Sequence, residues 1–403
     1  MTRLNILFIA NYWRDANAAS ISTLYLLKIL SLLGAKTLLI THDVESSTTW
    51  NTRAIEYVKH LKIIRINSCL FTSKVFRYTI GYTWIFLRGL RECIVNGISI
   101  IVTQHHNFHL ASLTGALLSL ILKTPLIVRV HDCIPYIGRN TIERIINISI
   151  FNVLNRVAFK RAKFILVPSS EFRFLIHRIF RVPPWKTFII PNIVDPSIFN
   201  KCSYLKSREK LGISKEAIVL LFIGNIYNRG LDLIIRSLPD VIKVIPSIKL
   251  IIAGTNFDKI AYLIRKLQLT NYVLYLGNVP YNMIPTLISA SDITIGPIRA
   301  SMETIGAIPR KVIEYMACGK PVIVGQSTIS KDLIVDNITG FIVKPNKESL
   351  LRTLLYLIND PSIRVRIGES ARQHVVKYFS INAVIQKLRR IIQSISPHYY
   401  LLT

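Results

Sequence analysis

The stretch Pro309-Arg-Lys-Val-Ile-Glu-Tyr-Met-Ala-Cys-Gly-Lys-Pro-Val-Ile-Val324 places a lysine and a glutamate three residues apart, just ahead of a glycine and a β-branched run. Pro309 can open a helix, where its missing N–H costs nothing. Lys311 and Glu314 then share a face, and Gly319 and Pro321 end the helix and feed a buried strand. A carboxylate in that position is an acceptor suited to the vicinal hydroxyls of a sugar or a ribose. The same spacing also makes an ordinary surface ion pair. Two other groups invite chemistry and carry less. His105, His106 and His109 follow a strand-like run, but no acid or cysteine stands at a matching spacing for a metal, so they read as a polar wall. Cys318 has no histidine placed to activate it and reads as packing.

The elements that must position these groups alternate between short β-branched runs and longer amphipathic segments, the pattern of parallel sheets. The first series of runs is Asn5–Ala10, Thr37–Thr41, Lys62–Ile66, Ser99–Thr103, Leu126–Val130 and Phe164–Val167. The second is Ala217–Ile223, Ile248–Ala253, Val273–Leu276, Ile293–Ile295, Pro321–Val324 and Gly340–Val343. Ser20 to Leu33 has helical spacing, and Gly34 reads as its stop. Between the series lies Phe188-Ile-Ile-Pro-Asn-Ile-Val-Asp-Pro-Ser-Ile-Phe199, then a polar stretch to about Lys215, which suits a connector. The expectation is an α/β protein of two doubly wound, Rossmann-like domains facing a central cleft. Residues 1–195 form the first, with a C-terminal helix at about 380–403 packing back on it, and residues 196–380 form the second. Ligands in such sheets bind at the carboxyl ends of the strands.

Composition narrows the class. The chain has 403 residues, 51% of them hydrophobic, with 51 Lys and Arg against 22 Asp and Glu. Two cores are within reach, and wholesale disorder is excluded. Gly and Pro number 17 each without a period, which excludes collagen-like and low-complexity readings. Five scattered cysteines form neither a disulfide framework nor a zinc set and imply reduced thiols. The net charge of +29 is spread over both halves, with +15 in residues 1–200 and +14 in residues 201–403. Tyr57 to Arg91 has seven basic residues and no acid, interleaved with Phe71, Phe76, Tyr78, Tyr82, Trp84 and Phe86. Arg156 to Lys186 has eight basic residues against Glu171. Cations among aromatic residues suit an anionic lipid surface, and no nucleic-acid module is present. Mean hydropathy is +0.40, yet Leu110–Leu122 stops at Lys123 and Pro125, short of the ~20 residues needed to span a bilayer. Met1–Ala10 has the shape of a core strand rather than a signal peptide. A cytoplasmic protein, peripheral on the cytoplasmic face of the membrane, is expected.

Glu314-Tyr-Met-Ala-Cys-Gly-Lys-Pro-Val-Ile323 resembles the E-A-M-A-C-G-x-P-V-I signature of glycosyltransferase family 4, the retaining, nucleotide-sugar-dependent enzymes of the GT-B fold. Other pieces fall in that family's order. Leu221-Phe-Ile-Gly-Asn-Ile-Tyr-Asn-Arg-Gly-Leu-Asp232 is similar to its V-G-R…K-G-x-D block, and Ile190-Pro-Asn-Ile-Val-Asp195 to its I-P-N-G-V-D connector. Leu274–Val279, Val335–Val343 and His131-Asp132 match further segments, so the resemblance spans nearly the whole chain.

The resemblance implies a hexosyltransferase that uses a UDP- or GDP-sugar as co-substrate and no further cofactor. Gly224 and Asn225 would lie against the donor, with Gly224 letting the chain approach its diphosphate. Arg229 would supply charge where the family has Lys, and Lys311 would assist. Positive donors there stabilise the leaving diphosphate, without a metal. Glu314 and His131 would be the catalytic pair, with Glu314 on donor hydroxyls and His131 near the anomeric carbon. Asp132, Ala18 and Ala19 would face the acceptor. No carboxylate pair flanks the bond as in retaining glycosidases, so front-face attack is expected.

Three departures stand out. Gly306 occupies the place of the family's first Glu, with Glu303 nearby as a substitute. Asn225 stands where the family has Arg. Ala18-Ala19 replaces a glycine pair. The acceptor expected is a lipid-linked glycan. A soluble transferase acting on a small sugar or sugar phosphate, and a non-catalytic binding subunit of the same fold, are the alternatives.

Overall fold

The computed structural model describes residues 4–11, 18–43, 58–67, 74–105, 110–131, 152–200, 203–226, 229–300 and 306–396. The chain divides into two compact units, residues 1–191 with 384–403, and residues 192–383.

The first unit holds a seven-stranded sheet in the order β3-β2-β1-β4-β5-β6-β7. Its strands are β1 (Asn5–Asn11), β2 (Lys36–Asp43), β3 (Leu61–Asn67), β4 (Ile100–His105), β5 (Leu126–Val130), β6 (Phe164–Val167) and β7 (Thr187–Ile189). Every pairing is parallel. β4, β5 and β6 are buried along their whole length, which accounts for uninterrupted apolar runs in place of alternation. The helix Ala18–Leu32 ends as its sequence predicts. Gly34 adopts φ 82°, and Ala35 N–H returns to the Leu30 carbonyl at 3.0 Å. Leu388 and Ile392, on the helix Ile381–Ile395, line an apolar space with Ile6, Leu30 and Ile100.

The second unit holds a six-stranded parallel sheet in the order β10-β9-β8-β11-β12-β13. These are β8 (Val219–Ile223), β9 (Lys249–Ala253), β10 (Val273–Tyr275), β11 (Ile293–Ile295), β12 (Val322–Gly325) and β13 (Phe341–Val343). Alternate residues of β8 feed opposite faces. Leu220 and Phe222 join one apolar cluster, while Val219 and Leu221 join the other, against Val312, Tyr315 and Met316.

The region read as a plain connector has more structure than its composition suggests. Thr187–Ile189 pairs with β6 as the edge strand β7. The polar stretch contains the helix Tyr204–Lys210, capped by Ser203, whose side chain accepts from Lys206 N–H. Arg208 there is fully buried; it donates to the carbonyls of Ser214, Lys215, Ala217 and Ala290 and pairs with Asp292 at 2.6 Å. Among the described residues no helix is long and apolar enough to cross a membrane.

Candidate active site

The carboxyl end of β8 is where the second unit gathers its chemistry. Gly224 follows the strand at φ +116° and donates its N–H to the Ala253 carbonyl at 2.8 Å. A Cβ on Gly224 would come within 3.3 Å of Lys311 Nζ, and one on Gly254 would meet the Gly224 carbonyl at 2.0 Å. Both positions therefore need glycine, for space and for backbone conformation. The chain then reaches Arg229 and Gly230, the latter at φ 82°, and enters the 14-residue helix Leu231–Val244. Asp232, in its first turn, forms a two-point pair with Arg299 at 2.7 and 2.8 Å. Asn225 is exposed, and its Oδ1 accepts from Asn256 Nδ2 at 2.9 Å.

The helix Arg310–Ala317 packs its side chains onto that strand end. Pro309 stands just before the helix, as its cap residue at φ −65° and ψ 129°, rather than as its first turn. At the other end Gly319 takes φ 71°, Lys320 N–H returns to the Tyr315 carbonyl at 3.1 Å, and the chain enters β12. Lys311 and Tyr315, four residues apart, both close on Ile223. Lys311 Nζ donates to the Ile223 carbonyl at 2.7 Å, and Ile223 N–H donates to the Tyr315 hydroxyl at 2.9 Å. The strand's last peptide groups are thus satisfied by side chains. Burial pushes the Tyr315 hydroxyl well above its ordinary range.

Lys311 Nζ also sits 4.0 Å from the centre of the Phe222 ring. Burial, with the charge of Arg229 adding to it, pushes the Lys311 ammonium down to about 7. No carboxylate of the described residues pairs with it. A sequestered cation, a second cation close by, a glycine and a helix start together make a receptor for an anion.

Glu314 does not pair with Lys311, as the three-residue spacing suggested. It is buried, and its Oε1 accepts from Arg310 at 2.9 Å and from the Tyr281 hydroxyl at 2.8 Å. Lys311 is drawn away to the strand end, and Arg310 takes the carboxylate at the i, i+4 spacing instead. Arg310 and Tyr281 are the residues that sequence reasoning missed. Arg310 had a signal in its spacing, whereas Tyr281 lies 33 residues away and had none.

In the first unit, His131 follows β5, and its N–H donates to the His105 carbonyl at 3.0 Å. His105 is buried, with Nδ1 3.1 Å from Ser112 Oγ and its ring edge-on to Phe159. His106, His109, Asp132 and Glu303 lie outside the described residues. Ala18 and Ala19 open the helix Ala18–Leu32. Cys318 is buried at the end of the signature helix. Among the described residues, no group of three His, Cys, Asp or Glu side chains is placed to hold a metal ion.

Comparison with known proteins bears on the family and the fold. The family model "Glycosyltransferase Family 4" matches residues 26–198, and "Glycosyl transferases group 1" matches residues 204–374. A GDP-mannose-dependent monoacylated alpha-(1-6)-phosphatidylinositol monomannoside mannosyltransferase of Corynebacterium glutamicum is 28% identical over 197 residues. That alignment covers 47% of this chain and spans about half the length, 50%, of the relative. Sucrose-phosphate synthase of Thermosynechococcus elongatus superposes with a TM-score of 0.77 at 15% identity, over 97% of this chain and 99% of that one. Anabaena HepE in complex with UDP and glucose gives 0.74 at 20% identity, over 97% and 100%. At these identities the structures establish the fold, which is GT-B. Two family models, one over most of the first unit and the start of the second and the other within the second, identify the chain as a glycosyltransferase of the family 4 type.

Proposed function

We propose that this transferase moves a hexosyl unit, with retention, from a UDP- or GDP-sugar to a lipid-linked glycan acceptor. The observation that carries the donor half is Lys311. Its ammonium is sequestered beside Gly224 with Arg229 nearby and no carboxylate of the described residues on it, so a diphosphate supplies the missing negative charge.

In this reading the diphosphate lies at the end of β8 against Gly224, Asn225 and the start of the helix Leu231–Val244. Lys311 and Arg229 stabilise the charge that develops there as the glycosidic bond breaks. Oε2 of Glu314 has no hydrogen-bond partner among the described residues, and it receives hydroxyls of the donor. Glu303 is the candidate for the family's other carboxylate. His131 stands near the anomeric carbon as the other member of the catalytic pair, and Asp132, with Ala18 and Ala19, serves the acceptor. HepE bound to UDP and glucose, and a mannosyltransferase relative that uses GDP-mannose, are consistent with a nucleotide-sugar donor.

The acceptor half rests on the surface of the first unit. Trp84, Leu87, Ile94 and Val95 are exposed on the helix Lys74–Val95, as are Leu117, Leu120 and Ile121 on the helix Ala111–Leu122. Arg91, Lys123, Arg156 and Lys160 are exposed on the same unit. Apolar side chains with cations and an overall charge of +29 suit an anionic bilayer. The relative named for a phosphatidylinositol mannoside supports that acceptor class. Arg88 contributes less than its sequence suggested, because Glu92 takes it at 2.9 Å.

The test is nucleoside diphosphate release from a panel of UDP- and GDP-sugars, with and without extracted membrane lipids and with Glu314→Gln alongside. Release that needs one donor and lipid, and is lost in the variant, is expected. A folded protein that releases nothing from any donor is a binding subunit. Release that never depends on lipid makes the acceptor a small soluble sugar.

A further inference from the structure

Glu314 is gripped by one oxygen, by an arginine one turn before it and a tyrosine from a distant segment. Arg310 Nη2 donates to Glu314 Oε1 at 2.9 Å and to the Tyr281 hydroxyl oxygen at 2.7 Å, and the Tyr281 hydroxyl donates in turn to the same Oε1 at 2.8 Å. The three groups close a ring of hydrogen bonds. The other terminal nitrogen of Arg310 donates to the Ile193 carbonyl at 3.1 Å, and Asn192 Nδ2 donates to the Ile308 carbonyl at 2.7 Å just ahead of the helix. Tyr281 is held in turn, its ring edge-on to the fully buried Phe199 at 5.7 Å.

Arg310 is 6% exposed and Glu314 is 5% exposed, so water does not loosen the pair. Rotating the carboxylate would break a charge-assisted bond inside the protein. Oε1 is therefore committed, and Oε2 is the oxygen left to a ligand.

We infer that Arg310 and Tyr281 are positioning residues of the transfer reaction: by taking Oε1 of Glu314 they fix Oε2 toward the donor's hydroxyls, and through Ile193 they brace that orientation on the segment that begins the second unit. This rests on the reading that Glu314 receives donor hydroxyls. Neither residue touches the donor, and both act through Glu314. The pairing also divides labour along the helix, because Arg310 neutralises the carboxylate and Lys311, the next residue, is left to the phosphate.

The experiment is calorimetric titration of UDP-glucose and GDP-mannose into wild type, Arg310→Gln, Arg310→Lys, Tyr281→Phe, Glu314→Gln and the double variant Arg310→Gln/Glu314→Gln, with thermal melts throughout. Arg310→Gln is expected to weaken the donor that binds by about tenfold or more, in line with loss of a charge-assisted contact. Arg310→Lys should recover part of that loss. Tyr281→Phe keeps the ring and its packing, so it tests the same point should Arg310→Gln unfold; a loss of about three- to fivefold is expected. The decisive reading is the double variant, which should bind no more weakly than Glu314→Gln alone, because the second change has nothing left to orient.

Losses that multiply in the double variant would show Arg310 acting independently of Glu314 and overturn the inference. So would wild-type affinity in both Arg310→Gln and Tyr281→Phe while Glu314→Gln is impaired. A Glu314→Gln protein that binds as tightly as wild type overturns the underlying reading of Glu314 itself.

Discussion

If the donor's diphosphate lies beside Lys311 as proposed, nucleotide-sugar binding is a proton-coupled event. The Lys311 ammonium has one carbonyl at 2.7 Å, the Phe222 ring at 4.0 Å and the charge of Arg229 against it, and it sits at about 7. A diphosphate placed beside it restores the charged form. At about pH 8 the empty protein carries that proton about one time in ten, so binding should draw roughly 0.9 proton from solution. From about pH 6 to about pH 8.5 the charged fraction falls from roughly 0.9 to roughly 0.03, and affinity should fall by about 30-fold.

A nucleotide sugar is the ligand to use, since its diphosphate has no terminal phosphate with a second ionisation near pH 6. Calorimetry in two buffers of different ionisation enthalpy counts the proton directly. Lys311→Met should bind weakly, with no pH dependence from this source. Equal proton counts of zero in wild type and variant, with affinity flat across the range, would refute the reasoning.

The same group has a sign for stability. Its folded value lies below the unfolded value of about 10.4, so between the two the unfolded chain holds the extra proton, and stability rises with pH. The slope is at most about 1.4 kcal/mol per pH unit from about 7 upward, with the full cost present below about 7. Melts of Lys311→Met should lose that component and gain most at the acid end.

Three further outcomes follow from the geometry. Gly254→Ala puts a Cβ 2.0 Å from the Gly224 carbonyl at φ +144°, so it should cost more than about 2 kcal/mol in thermal melts and loosen the donor loop. Trp84→Ser with Leu120→Ser removes exposed apolar side chains without touching a core, so vesicles of anionic lipid should sediment less of the variant while its melting temperature holds; unchanged sedimentation would remove this face from the membrane reading. Chelation with EDTA should leave nucleoside diphosphate release unaltered, because Lys311 and Arg229 are assigned the charge; a loss restored by one added divalent cation would reassign it.

What was legible in the sequence was whatever repeated along it. The β-branched runs became strands because a parallel sheet covered on both faces needs such residues at every position. Phe164–Val167 and Ile293–Ile295 fell where they were read. β7 was missed because Thr187–Ile189 is three residues long beside Pro191, and its partner β6 lies some twenty residues upstream. Arg208, inside the polar stretch read as a connector, is a core residue; one guanidinium satisfies a cluster of carbonyls that only tertiary folding brings together. The site divides in the same way. Glu314 and Lys311 are marked by type and spacing and Gly224 by the resemblance, whereas Tyr281 and Ile223, which bond Glu314 and Lys311, come from distant segments.

The pairing of Glu314 also bears on Asn225, where the family carries an arginine. A site that must hold a diphosphate needs net positive charge near β8, and Asn225 supplies none; it bonds Asn256 instead. The charge arrives from the signature helix, where adjacent residues point about 100° apart. Had Glu314 paired with Lys311 at the three-residue spacing, the two would have cancelled and left the phosphates facing a neutral surface. Arg310 prevents this by occupying the carboxylate at the four-residue spacing, with Tyr281 completing its shell. Lys311 is then left to the strand end with a hydrogen bond from its ammonium to Ile223 and no carboxylate of the described residues upon it. In the proposed reading, one added cation in the helix thus separates the carboxylate assigned to hydroxyls from the ammonium assigned to phosphate and offsets the arginine missing from the loop.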